Sequence, residues 1–182
     1  MKKYYVKWLG VMICAILMTG CAFHFRSPKY FPSELKTLYF SPERPNSTLS
    51  QQLTALFRSM NAHLVKSSSQ ARFSVVVTRD HFEYSRPDIV DATLPSTLNF
   101  IQSAKINIID NQSKQVIATR EFATSQSLTL TANQMYTAYA NNLIEEELNR
   151  QIVLVVYYWL TSHNMKDALH HAVITKTTRR AS

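Results

Sequence analysis

The chain has 182 residues, with 20 basic and 12 acidic side chains giving a formal net charge of +8, two glycines and two cysteines. Both glycines, Gly10 and Gly20, fall in the first 20 residues, so everything downstream lacks them. That excludes phosphate-cradling loops, dinucleotide fingerprints and the Gly-x-Ser-x-Gly nucleophile elbow, all of which need glycine for tight turns and close backbone approach.

Residues 1–20 have the parts of a secretory leader. Lys2, Lys3 and Lys7 make a positive start, the 11 residues from Trp8 to Met18 are uncharged, and small Thr19 and Gly20 precede the expected cut. A hydrocarbon core of ~30 Å needs ~20 helical residues, so this stretch is too short for a permanent span. Met18-Thr19-Gly20-Cys21 resembles the lipobox of a bacterial lipoprotein signal, in which the cysteine becomes the new first residue. Its thiol then receives a diacylglycerol and its amine a further acyl chain. Each buried methylene contributes ~0.8 kcal/mol, so two or three such chains hold a protein on a bilayer almost permanently.

Cys14 leaves with the leader and the lipid consumes Cys21, so no internal disulfide is expected and the core alone must hold the domain. The mature chain keeps 162 residues, enough for one domain, with 17 basic against 12 acidic groups, or +5. In an envelope protein that balance points to an anionic partner such as a phosphorylated glycolipid before nucleic acid. It is equally a solubility charge.

Residues 21–35 read as a linker after the lipidated cysteine, interrupted by Pro28 and Pro32. Lys36 to Phe40 alternates and predicts a first strand. Asn46 and Ser47 are candidate N-caps for a helix whose apolar stripe is Leu49, Leu53, Leu56, Phe57 and Met60. Phe73, Val75 and Val77 then share a strand face, whereas Phe82 and Tyr84 fall on the opposite parity, which predicts a bulge near Asp80. A loop over Arg86-Pro87-Asp88 to Pro95 leads to a strand over 97–109, turn chemistry at 110–114, and a third strand with Val116, Ala118 and Phe122 on one face. From 132 to 161 Met135, Tyr139, Leu143, Leu148, Ile152, Val155 and Trp159 keep helical spacing. The continuous apolar run Ile152 to Leu160 also suits a buried strand, but the periodicity carried through from Met135 favours helix. Leu154, Tyr157 and Tyr158 on that helix face either a partner or a thick core. Residues 162–182 hold His163, Lys166, His170, His171, Lys176, Arg179 and Arg180 among few apolar residues, and read as a disordered basic tail. The expected architecture is α+β, with residues 36–161 forming a single domain of two helices on one face of a four-stranded, mostly antiparallel mixed sheet.

Gly20-Cys21-Ala22-Phe23-His24-Phe25-Arg26 resembles the mature start of the LPS-assembly lipoprotein LptE family, usually Gly-Cys-Gly-Phe-His-Leu-Arg. The helix opening Leu49-Ser50-Gln51-Gln52-Leu53, the long meander and the long C-terminal helix extend the similarity over most of the chain. The resemblance implies a lipoprotein anchored in the periplasmic leaflet of the outer membrane, seated inside a large outer-membrane β-barrel LPS-assembly protein and helping to deliver lipopolysaccharide to the outer leaflet. Ala22 replaces the aspartate of an inner-membrane retention signal, in keeping with outer-membrane sorting. Family members contact lipopolysaccharide through basic residues in loops at one end of the sheet, and here Arg86 occupies the loop after the first long strand. Ser125 to Asn133, before the last helix, has no lysine at the second such place. Arg79 and Lys105, on neighbouring strands, are further candidates for charge-assisted contacts to lipid A phosphates. As cations on a solvated face they need no ligand.

No enzyme, metal site or cofactor beyond the covalent lipid on Cys21 is expected. Adjacent His170 and His171 cannot both face one ion without a bend, and a basic tail disfavours a cation. Neighbouring Glu145, Glu146 and Glu147 point in different directions on a helix, and His24 reads as a packing residue. Against the barrel plug stand a solitary lipid-binding lipoprotein, which predicts a closed apolar cavity, and an anchored hydrolase, which predicts a pocket of coupled titratable groups.

Overall fold

The computed structural model describes residues 30–85, 96–130 and 138–180, so Cys21, His24 and Arg86 lie outside the described residues. In chain order it contains a 3-10 turn at Ser33–Leu35, β1 (Thr37–Ser41), α1 (Thr48–Ser59), β2 (His63–Val65), a second 3-10 turn at Ser68–Gln70, β3 (Phe73–Ser85), β4 (Ser96–Asp110), β5 (Gln115–Leu130), α2 (Ala138–Thr161) and α3 (His163–Arg180). The strands form one sheet in the order β2-β1-β3-β4-β5. β1 runs parallel to both β2 and β3, and β3, β4 and β5 form the antiparallel meander.

The mixed α+β sheet agrees with the sequence expectation, with five strands in place of four and three helices in place of two. The extra strand, β2, is three residues long, too short for alternation to register. Asn61 turns the chain out of α1 with φ 58°, a left-handed conformation that asparagine tolerates, and the His63 N–H then donates to the Lys36 carbonyl at 2.6 Å. Of the two candidate caps, Ser47 closes α1, its hydroxyl accepting from the Ser50 N–H at 3.2 Å.

The extra helix corrects the expected disordered tail over 162–182. Ser162 ends α2 and caps α3, its hydroxyl accepting from the Met165 N–H at 3.3 Å. Met165 and Leu169 are buried, and Ala172 and Val173 pack against the same core. Those four positions repeat at helical steps, and the intervening histidines and lysines hide the pattern. Arg72 fastens α3 to the sheet, donating from Nη2 to the Ala172 carbonyl at 2.8 Å while lying 3.4 Å from Asp110 Oδ2.

All three helices contribute to one core on one sheet face. Leu49, Leu53 and Phe57 of α1 meet Phe73 and Val75 of β3, Ile106 and Ile108 of β4, Ile152 and Val156 of α2, and Leu169 of α3. The register break in β3 falls between Val77 and Arg79, just before Asp80, as the parity change of the apolar residues predicts. Thr78 and Arg79 are both exposed there, and Asp80, Phe82 and Tyr84 resume on the inner side. A second break separates Ile108 from Ile109 opposite β5. Because Ala118 pairs with inward Ile108 while Val116 pairs with Ile109, Val116 leaves the face expected for it and is 54% exposed. β5 also continues through Ser125 to Leu130, where the sequence suggested connecting chain.

Candidate functional site

The sheet face opposite the helices is built by residue alternation along three strands of 13, 15 and 16 residues. Hydroxyls and amides dominate it, and many of them bond sideways to one another. Thr119 Oγ1 donates to Asn107 Oδ1 at 2.9 Å, Ser127 Oγ donates to Asn99 Oδ1 at 2.7 Å, and the hydroxyls of Thr97 and Thr129 lie 3.2 Å apart. Such cross-strand pairs stabilise the sheet by ~0.2–1 kcal/mol each.

Arg79 and Lys105, named from sequence as possible phosphate contacts, are direct register partners on this face, and Lys105 is in turn the partner of Glu121. Arg79 Nη1 lies 3.3 Å from Glu121 Oε1, with both side chains more than half exposed. An exposed pair of this kind is worth ~0–1 kcal/mol, so it leaves Arg79 free to exchange partners. Arg86 follows the last described residue of β3 and lies outside the described residues.

The helical side also presents apolar groups outward. Tyr139, Leu143, Leu154 and Tyr158 of α2 are exposed along one stripe, broken at its centre by Arg150, which pairs with Glu146 at 3.2 Å and Glu147 at 3.0 Å. Of the residues whose direction the sequence left open, Tyr157 turns into the core and Leu154 and Tyr158 turn away from it. His163 and His170 line an open groove of about 680 Å³ between the first 3-10 turn and α3. They are 3.3 Å from Asp167 and 3.9 Å from Glu34 respectively.

Sequence reasoning missed a polar layer inside the helix–sheet interface. Asp80, its side chain 1% exposed, lies 3.0 Å from Arg44 Nη2 and accepts from Gln102 Nε2 at 2.8 Å. Its backbone N–H donates to Glu43 Oε2 at 2.6 Å. Buried Asn149 joins from α2, and Gln52 of α1 donates to the Glu146 carbonyl at 3.3 Å. The only advance signal was Asp80 at the predicted bulge, a polar residue about to be turned inward.

Burial lifts the Glu145 carboxyl of α2 above the ordinary glutamate range, with Arg44 pulling it down and Asp80 pushing it up. A raised folded-state value means that the folded chain holds a proton the unfolded chain has released. The stabilising contribution is complete below pH 4.5, the ordinary value, and is lost as pH rises through the higher folded one. Glu145→Gln is therefore expected to exceed the parent in stability at neutral pH and to lose that advantage on acidification, as read from urea midpoints at the two conditions. A variant weaker than the parent at neutral pH would show that pairing with Arg44 outweighs burial.

No family model matches the chain, and no curated protein matches it in sequence. Its α+β fold is similar to that of a solved bacterial lipoprotein. The chain aligns with the solution structure of uncharacterized lipoprotein B from Nitrosomonas europaea at a TM-score of 0.54 and 12% identity, over 78% of this chain and 88% of that one. It also aligns with a minor lipoprotein from Acinetobacter baumannii at a TM-score of 0.48 and 14% identity, over 70% of this chain and 88% of that one. A third alignment, with rare lipoprotein B from Shewanella oneidensis, has a TM-score of 0.44 and 12% identity, over 80% of this chain and 99% of that one. At these identities the likeness concerns the fold alone.

Proposed function

We propose that the chain is an outer-membrane lipoprotein, held in the periplasmic leaflet by acyl chains on Cys21, that plugs and assembles a large β-barrel translocon and assists delivery of lipopolysaccharide. The observation that carries this reading is the outer face of the β3-β4-β5 meander, which no other element covers among the described residues. It is long and rich in hydroxyls and amides, with its charges gathered at Arg79, Glu83, Lys105 and Glu121, and the lumen of an outer-membrane barrel is polar in the same way. The leader ending at Cys21 supports the anchor, and the lipoprotein fold fits it.

The mechanism is mechanical and electrostatic. The Cys21 lipid fixes the chain from the membrane side, the uncharged part of the outer sheet face lies against the barrel wall, and the main core holds the proximal half of the three strands in place. Arg79 and Lys105 offer adjacent cations to lipid A phosphates, with Glu121 as the group Arg79 leaves when phosphate arrives. Arg86 is the remaining candidate contact. The test is a mild-detergent pull-down of the tagged mature protein from its own envelope. Stoichiometric recovery of a large barrel protein is the expected result, and recovery of the chain alone with bound lipid would replace this reading by a solitary carrier.

A further inference from the structure

Five buried polar atoms at one level of the interior have no hydrogen-bond partner among the described residues: Gln52 Oε1, Asp80 Oδ2, Gln102 Oε1, and both amide atoms of Asn149. The groups come from α1, β3, β4 and α2. Gln102 is bonded to Asp80, and Glu145, one helical turn before Asn149, is close enough to Asp80 and Arg44 for both charges to act on it. Gln52 is tied to the same stretch of α2 through the Glu146 carbonyl. On β5 the register partner of Gln102 is Thr124, which donates to the Leu148 carbonyl at 3.3 Å. A polar stripe thus crosses the inner face of the meander from Asp80 through Gln102 to Thr124.

The stripe lies between two apolar clusters. On one side is the main core, and on the other Leu98, Phe100 and Leu148 are buried with Phe82, Tyr84, Leu128, Leu130 and Ile144 packed around them. The rings of Phe82 and Tyr84 stack on Phe100 at 6.2 and 5.8 Å. Interior water typically makes two to four hydrogen bonds to otherwise unpaired polar groups, and this layer supplies both acceptors and a donor.

We propose that the Gln52–Asp80–Gln102–Asn149 layer is an internal hydration site, and that its bound water makes it the joint at which the distal half of the meander opens separately from the main core. Water held there keeps the polar atoms satisfied when the small distal cluster loosens, so opening does not disturb Leu53, Val75 or Ile106. The proposal is independent of the barrel reading, since it concerns the isolated chain.

The test uses the full mature chain in two measurements. In native-state hydrogen exchange, amides of Tyr84, Phe100 and Leu128 are expected to be at least about tenfold less protected than those of Val75 and Ile106, as for a separate opening unit. The paired substitution Gln102→Leu and Asn149→Leu, which dries the layer, is expected to bring the two sets together. Equal protection of both sets in the parent would overturn the joint, whether or not the double variant folds. A high-resolution crystal structure is expected to show water bonded to Asp80 Oδ2 and Asn149. Rotated side chains that pair all five atoms with one another, leaving no water, would overturn the hydration site.

Discussion

Replacing residues 1–20 with an ordinary cleavable secretory leader, together with Cys21→Ser, is expected to move the protein from the membrane fraction to the soluble periplasmic fraction. Serine has no thiol to carry the diacylglycerol, and an ordinary leader is cut without any lipid, so the mature chain is released bare. At ~0.8 kcal/mol per methylene, even one long acyl chain contributes roughly 10 kcal/mol, and losing two or three shifts partition by many orders of magnitude. The described domain begins at Tyr30, nine residues past the cysteine, so its melting transition should not change. Fractionation followed by intact mass measurement checks both halves of the expectation. A serine variant that sediments with membranes as fully as the parent, or a parent whose first residue carries no acyl mass, would remove the anchor from the account.

Leu169→Ala is expected to destabilise the chain by about 2–5 kcal/mol, the range for a fully buried leucine whose site cannot collapse. Leu169 is 0% exposed and belongs to the main core. With typical net stabilities of ~5–15 kcal/mol, that is a large part of the total, and denaturant midpoints will read it directly. Asn164→Ala, on an exposed position of the same helix, serves as the control and should change stability by less than about 0.5 kcal/mol. Equal midpoints for Leu169→Ala and the parent would mean that α3 does not belong to the folding unit.

The segments that a reader can recover from the sequence are those whose pattern is local and long. The α1 stripe from Leu49 to Met60 repeats over three turns, and the parity change between Val77 and Phe82 locates a bulge because a strand reverses its facing with each residue. β2 escapes notice because three residues cannot show a period, and it exists only because parallel pairing with β1 rewards it. α3 escapes because Met165 and Leu169 are read as isolated among charges until the sheet and Arg72 supply something for them to cover. The candidate site divides the same way. Arg79 and Lys105 could be placed on adjacent strands, whereas Glu121 beside them depends on the register of a third. The polar layer was illegible for the same reason, since Gln52, Asp80, Gln102 and Asn149 are far apart in sequence and meet only in the packed structure.

The sideways bonding on the bare sheet face has a thermodynamic consequence. A surface studded with lysine and glutamate must shed tightly held hydration before it can touch a polar wall, and that cost grows with every ion stripped. Thr119 with Asn107, and Ser127 with Asn99, keep a neighbour when their water departs. Away from Arg79, Lys105 and Glu121, dehydration therefore takes less from this face than its polarity suggests, and a contact made along those parts can be extensive without being greasy.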